Sequence, residues 1–504
     1  MHLKHLFLLG LLLVAPVAQA QDYDIEFEYV DCPISLPDTE IEEETIDCGY
    51  LLVPEDRSDP DSPVIELAVA ILYSPADDDD YQPDPILYLE GGPGGSALSG
   101  IDMWYESPLR ETRDIILFDQ RGTGYSRPYM GCYVDEDAED MDELAATQDC
   151  RDSLVLEGVN LSAYNSQSSV QDMADLREIF EIDEWNLLGI SYGTRLALTA
   201  MRDDPDGIRS VILDSVYPPQ VQGYEQQSPL QVRAFEALFA SCAADAACNE
   251  AYPDLDEVFY EIVAVWNDDP WIMEQEDPET GEFYEVELNG DMLIDLLGEA
   301  LYDTTLIPYM PLAIYYAYND DPETAMSIFE GYIADWEEDT AEDEEEYVDE
   351  EYAEEDYSES EGMMNSVECY EEIPFNSLDA ALAAIESLPE SVQAKYRDDV
   401  EIIFGQCDVW AIDTADTIEN EPVTSEIPTL VVAGEFDPVT PPAWAEAAAA
   451  YLPNSYYFRF PEAGHGIMDS SPCAQSIYAQ FLNDPTAEPD GSCTANLAVT
   501  FVIE

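Results

Sequence analysis

The sequence predicts an α/β protein in which a mostly parallel central sheet, with helices on both faces, is interrupted by an inserted, mainly helical cap. Three observations lead there. Apolar runs of strand length, rich in Val, Ile, Leu and Tyr, alternate with segments of helical spacing over 49–216. Such alternation builds parallel sheets with helices on both faces. Helical texture then dominates 219–410, and strand-like runs return only after it.

The elements follow in order. Residues 1–20 read as a signal peptide. Lys4 lies in a basic start, the apolar run LFLLGLLLVAPVA follows, and Ala18-Gln19-Ala20 fits a cleavage site. The run is short for a bilayer span, so cleavage before Gln21 is expected, with no membrane anchor afterwards. The first part of the core is expected over 21–218. Its strands begin at Gly49 with GYLLVPED, then VIELAVAILYS, DPILYLEGG and RDIILFDQRG, each ending at turn residues. A helix is predicted at 170–182, a buried strand at 185–190, a helix at 194–201 and a strand at 208–216. After Tyr217-Pro218-Pro219 the cap is expected over 219–410. Within it, 334–362 is so acidic that like-charge repulsion predicts a solvated loop. It lacks the spacing of an EF-hand calcium loop. The core resumes over 411–504, with strands in 427–438 and 454–466 and a helix near 474–482. An insertion at this point would cover the carboxyl ends of the strands, where open α/β sheets keep their sites.

Charge narrows the function classes. The chain has 113 acidic and 15 basic residues, a formal net charge of −98. Such a surface repels nucleic acid and anionic lipid. It also repels itself, which points to a salty environment in which the Debye length contracts. The 10 cysteines fall in sequence-near pairs: Cys32 with Cys48, Cys132 with Cys150, Cys242 with Cys248, Cys369 with Cys407, and Cys473 with Cys493. An even number behind a signal peptide favours disulfides over metal ligation, although sequence does not fix connectivity. No C-x-x-C occurs, and the 3 histidines offer little to zinc.

The sharpest motif is Gly189-Ile190-Ser191-Tyr192-Gly193, placed between a predicted strand and a predicted helix. That context makes Ser191 a nucleophile on a tight elbow, as in the α/β-hydrolase fold. A serine needs a base. His2 and His5 lie in the leader, so His465 is the one imidazole left to serve. Position selects the third member. Asp437 follows the strand TLVVAGEF, and the order Ser191, Asp437, His465 is that of this fold. Glu435 is the competing carboxylate. The oxyanion hole requires two N–H donors. Tyr192, directly after the nucleophile, supplies one. The loop Glu90-Gly91-Gly92-Pro93-Gly94-Gly95-Ser96 supplies the other, from Gly92 or alternatively Gly91. The loop lacks the Lys-Ser/Thr ending of a phosphate-binding loop.

The segments LEGGPGGSA, FDQRGTGYS, WNLLGISYGT, VILDSVYPP and VVAGEFDPVTPP resemble the secreted tripeptidyl aminopeptidases, relatives of the prolyl iminopeptidases. The resemblance spans nearly the whole chain after the leader and includes CAADAACNEAYPDL in the cap. It implies a serine exopeptidase acting near the free N-terminus of short peptides, with Ser191, Asp437 and His465 as triad and neither metal nor cofactor. Glu90 departs from the pattern, since prolyl iminopeptidases usually carry His there. The segment Val367-Glu368-Cys369-Tyr370-Glu371-Glu372 resembles an acidic motif at the end of that family's cap, and Glu371 is the expected partner of the substrate amine. Asp119 and Arg121 are expected to brace loops beside the site. The same triad could cleave esters, so a secreted esterase or lipase is the alternative. A non-catalytic binding protein on this scaffold would not need Ser191, Asp437 and His465 together. The oligomeric state is not legible.

Overall fold

Nine strands of the computed structural model hydrogen-bond into one sheet: β1 (Glu26–Val30), β2 (Ile46–Pro54), β3 (Val64–Leu72), β4 (Ile86–Leu89), β5 (Ile115–Phe118), β6 (Trp185–Ile190), β7 (Ile208–Asp214), β10 (Thr429–Gly434) and β11 (Ser455–Phe460). The structure describes residues 23, 25–37, 39–77, 79–132, 142–276, 283–319, 321–329, 357–468 and 470–503. The predicted leader at 1–20 and most of the acidic tract lie outside the described residues. The sheet order is β1-β2-β3-β5-β4-β6-β7-β10-β11. Pairing is antiparallel from β1 through β5 and parallel from β5 through β11. The parallel strands are apolar throughout because both faces are covered: every residue of β4, β5 and β10 is buried.

The chain moves outward from β4 to β5, then returns past β4 to β6. The switch point of the topology therefore lies between β4 and β6, and ligands of open α/β sheets bind beyond the carboxyl ends at such a point. The helices that pack this core include α1 (Glu143–Glu157), α2 (Ser166–Ile179) and α3 (Tyr192–Asp203). Asn165 caps α2 by accepting the Ser168 N–H, so the helix starts earlier than its apolar spacing announced. One strand was not anticipated. In β1 the acidic residues alternate outward, while Phe27 turns inward to pack edge-on against Phe180 at 4.8 Å.

Between β7 and β10 the chain builds the cap. Its helices include α4 (Gly223–Ala244), α5 (Leu255–Asp268), α6 (Gly290–Ala300), α7 (Glu361–Val367) and α8 (Gln393–Trp410). A two-stranded antiparallel hairpin, β8 (Trp271–Glu276) with β9 (Phe283–Leu288), joins them, which the helical texture had hidden. The cap has its own core, with Phe235, Phe239 and Phe259 mutually packed at its centre. After β10 come α9 (Pro442–Ala449) and, beyond β11, α10 (Pro472–Asn483). Five disulfides join Cys32–Cys48, Cys132–Cys150, Cys242–Cys248, Cys369–Cys407 and Cys473–Cys493, the neighbouring pairs. Among the described residues no helix is long and apolar enough to cross a membrane.

Candidate active site

Ser191 sits between β6 and α3 at φ 53° and ψ −124°, a conformation that is costly outside glycine. The surroundings enforce it. Ser191 N–H donates to the Asp214 carbonyl at 3.0 Å, and the Ser191 carbonyl accepts the Thr194 N–H at 2.9 Å and the Thr194 hydroxyl at 2.6 Å. Gly193 crosses the end of β4 so closely that a Cβ there would lie 2.0 Å from the Leu89 carbonyl oxygen. Any larger residue would push the elbow off the sheet. The turn leaves Ser191 half-buried at the switch point.

The loop after β4 abuts it. A Cβ on Gly91 would lie 3.0 Å from Ser191 Cβ. Gly91 donates its N–H to Glu90 Oε1 at 2.7 Å, while Glu90 Oε2 accepts from the Tyr88 hydroxyl at 2.8 Å. Glu90 thus engages the first glycine's donor and holds the loop. Gly92, exposed at φ 99°, makes no hydrogen bond through its N–H among the described residues. Tyr192 opens α3, so its N–H has no helical acceptor. These two donors are the pair the sequence pointed to. Asp119 braces the far side of the loop, accepting from Ser96 Oγ at 3.0 Å, Leu98 N–H at 3.0 Å and Tyr125 N–H at 2.8 Å. Arg121 holds Asp172 with two bonds of 2.8 Å and the Glu55 and Ala163 carbonyls at 2.7 Å. The end of the acidic tract docks here, where the sequence predicted a solvated loop: Ser96 N–H donates to the Ser358 carbonyl and Ser360 N–H to the Gly94 carbonyl, both at 3.0 Å.

His465, on the loop after β11, places Nδ1 2.9 Å from Asp437 Oδ2. Asp437 is fully buried in the loop after β10. Its Oδ1 accepts the N–H groups of Val439 at 3.0 Å and Thr440 at 2.7 Å. The Thr440 hydroxyl donates to Asp437 Oδ2 at 2.7 Å and lies 3.2 Å from His465 Nδ1. Burial works against the Asp437 charge, but His465 and these donors hold its carboxyl below the usual range. Burial likewise works against a charged His465. Asp437 first, then Asp214 and Glu90, outweigh it and raise the imidazole above its ordinary value. Glu435 points elsewhere and pairs with Arg459. Ser191 Oγ and His465 are not joined by a hydrogen bond among the described residues, a common state before substrate seats.

Sequence reasoning missed Thr440. The signal available was Asp-x-x-Thr before the proline-led start of α9, a turn in which the acid caps backbone N–H groups.

Glu371 lies on a π-helical turn, Glu368–Glu372, at the end of α7. Such turns often mark functional sites. The turn carries three acidic residues, Glu368, Glu371 and Glu372, and the last two face one guanidinium, Arg195 of α3. Glu371 is fully buried. Its Oε2 accepts the Ser166 N–H at 3.2 Å, and its Oε1 accepts the Ser166 hydroxyl and faces Arg195 Nε at 3.5 Å. Glu372 pairs with Arg195 and accepts the Tyr217 hydroxyl at 2.8 Å. Glu368 accepts from the Tyr224 hydroxyl and is half-buried. Burial pushes Glu368 and Glu372 up to about 7. Both oxygens of Glu371 accept from Ser166, with Arg195 beside Oε1, whereas Glu368 accepts from the Tyr224 hydroxyl.

Comparison with known proteins finds two family matches. Residues 84–259, which contain the elbow, match the family described as alpha/beta hydrolase fold. Residues 394–493, which contain Asp437 and His465, match the family described as TAP-like protein. Serine protease Hip1 of Mycobacterium tuberculosis is 24% identical over 510 residues, covering 92% of this chain and 90% of that protein. The tripeptidyl aminopeptidase of Streptomyces coelicolor is 27% identical over 277 residues, 50% of this chain and 49% of its own length. The proline iminopeptidase of Aeromonas sobria is 34% identical over 137 residues, 27% of this chain and 28% of its own. The chain therefore has the α/β-hydrolase fold, and the relatives it resembles include serine peptidases.

Proposed function

We propose that this protein is an exported aminopeptidase that releases a short peptide or single residue from the free N-terminus of peptide substrates. Ser191 Oγ attacks the scissile carbonyl and passes its proton to His465, while Asp437 orients the imidazole and stabilises its charged form. The oxyanion is met by the N–H groups of Gly92 and Tyr192. His465 then protonates the departing amine, leaving an acyl-enzyme. Water, deprotonated by the same imidazole, cleaves that ester and frees Ser191.

The observation that favours an N-terminal substrate is the excess of carboxylate over guanidinium on the turn Glu368–Glu372, which packs against α3 through Arg195. An ammonium group supplies the missing positive charge and donates charge-assisted hydrogen bonds. Glu368 meets the amine, and Glu371 holds the turn on Ser166 and Arg195. The aromatic side chains of Tyr217 and Trp444, stacked at 5.3 Å, provide an apolar wall. Five disulfides suit an oxidising compartment outside the cytoplasm.

The test is a panel of mono-, di- and tripeptidyl arylamides, including Ala-Ala-Pro-arylamide, with free and acetylated amines. Hydrolysis of the free-amine forms, lost on acetylation and abolished in Ser191→Ala, is expected. Glu368→Gln should raise KM for free-amine substrates by about tenfold, the loss of one charge-assisted bond. Activity confined to acyl esters would overturn the peptidase reading. An unchanged KM in both Glu368→Gln and Glu371→Gln would overturn the amine site.

A further inference from the structure

We propose that Asp214 is a positioning residue of the catalytic centre, which ties the loop carrying His465 to the elbow carrying Ser191. The need for such a tie follows from the sheet order. Ser191 leaves β6 and His465 leaves β11, and β7 and β10 stand between them. Three inter-strand steps of about 4.8 Å separate the two strands, so the histidine loop must reach back across the sheet. Asp214 ends β7, on the path of that reach.

Its two ends grip the two loops. The main-chain carbonyl of Asp214 accepts the Ser191 N–H at 3.0 Å. Its fully buried carboxylate accepts the Ile467 N–H at 2.9 and 2.8 Å, the Met468 N–H at 2.9 Å and the Tyr478 hydroxyl at 2.8 Å. Ser215, held at φ 55°, continues the pattern: its Oγ accepts the Gly466 N–H at 2.9 Å. Three consecutive amides directly after His465 are therefore anchored on residues 214 and 215. A carboxylate suits this role because it accepts at both oxygens, whereas an asparagine amide would turn a donor toward these N–H groups. Burial pushes the Asp214 carboxyl up to about 6, so it is ionised at neutral pH. Asp214 does not replace Asp437, the carboxylate that is hydrogen-bonded to the imidazole.

The inference rests on Ser191 and His465 acting as nucleophile and base, and the experiment separates the two ideas. Fluorophosphonate labelling and arylamide turnover are compared across pH 5 to 9 for wild type, Asp214→Asn, Ser215→Ala and His465→Ala, with thermal melts reporting folding. In Asp214→Asn, kcat and the labelling rate should fall by about 10- to 100-fold, the cost of a small misplacement of a catalytic group, with KM nearly unchanged. The acid limb should also move to lower pH, because one negative charge near the imidazole is lost. The other groups facing His465 stay in place: Asp437 and Thr440 after β10, Glu90 after β4, and Glu299 and Tyr302 at the end of α6. A purely structural role would lower the melting temperature without moving that limb. If Asp214→Asn does not fold, Ser215→Ala removes the Gly466 tie and the Ser215 hydroxyl's 3.2 Å bond to Asp214 Oδ1, leaves the carboxylate in place, and should still slow labelling several-fold. Wild-type kcat, labelling and limb in a folded Asp214→Asn, or in Ser215→Ala when the former cannot fold, would sink the proposal alone, provided His465→Ala is inactive. A His465→Ala enzyme labelled at the wild-type rate would sink the triad reading and this proposal with it.

Discussion

His465 works in a ring of carboxylates, and this sets the pH at which it can act. A general base must be neutral to accept the Ser191 proton. The ordinary value for the imidazole is 6.5, and Asp437, Asp214 and Glu90 raise it. The acid limb of kcat/KM should therefore lie above 6.5, with activity lost as pH falls through it. Glu90→Gln keeps the acceptor facing Gly91 but removes a charge, so the limb should move down. A limb at or below 6.5 in wild type, or one that moves up in Glu90→Gln, would contradict this electrostatic account. The same residues show what a sequence can reveal at this scale. Ser191 was legible because its motif stands between a strand and a helix. His465 was legible because the other two histidines, His2 and His5, fall in the segment that reads as a leader. Asp437 was legible from its place after a strand. Asp214 and Thr440 were not, because their roles come from partners far away in sequence. With 113 acidic residues, residue type cannot single out one buried carboxylate. For Glu371 a motif named the turn, and only the packing of Ser166 and Arg195 shows how that member is enclosed.

At the scale of elements, the cap makes direct contacts with the loops that carry Asp437 and His465. Arg233 of α4 reaches down to the loop after β10, donating to the Glu435 carbonyl at 2.8 Å and to the Asp437 carbonyl. Just beyond α6, Tyr302 packs on His465 at 4.8 Å between ring centres, and the Thr304 hydroxyl accepts the Gly464 N–H at 3.1 Å. Residues 358 and 360 pair with the oxyanion loop. Each catalytic loop thus has a cap element pressed on it. Arg233→Met keeps much of the apolar stem and deletes the donors. It should lower stability by about 1.5–3 kcal/mol, typical for hydrogen bonds to a charged group, and reduce kcat more than it changes KM. A urea titration and a kinetic split measure both. A variant with wild-type stability and kcat would show that the cap only rests on this loop. The core strands were readable because burial on both faces makes them continuous apolar runs. The strand β1 and the hairpin of β8 and β9 were not. Acidic residues alternate through the exposed β1, and the hairpin sits among stronger helical signals.

Across the whole molecule, the placement of the few cations decides how the protein responds to salt and acid. Arg110, Arg113, Arg121 and Arg195 are buried, and each is committed to internal carboxylates. The fold thus draws basic groups inward and leaves a net charge of −98 with little cationic compensation at the surface. Counterions must supply it. Raising NaCl from 0.1 M to 1 M shortens the Debye length from about 10 Å to about 3 Å, so repulsion between neighbouring surface carboxylates is cut off. Stability should rise steeply over that interval, beyond the modest gain that salt gives an ordinary protein. Acid should do part of the same work at low salt. Asp119 and Asp214 are pushed up to about 6, and Glu368 and Glu372 to about 7, chiefly by burial. A carboxyl whose folded value exceeds its unfolded one binds its proton more tightly when folded. Its stabilising contribution is complete below the unfolded value and is lost as pH rises through the folded one. Between pH 8 and 5.5 these groups therefore favour folding as the solution is acidified. Asp437, held low, opposes this only nearer its own titration. Urea midpoints measured at pH 8 and pH 5.5, each in 0.1 M and 1 M NaCl, test both effects. The expected order places 0.1 M salt at pH 8 lowest, with gains from either salt or acid. A midpoint that is independent of salt at pH 8 would mean that the acidic surface is already neutralised, and the high-salt setting inferred from composition would fall.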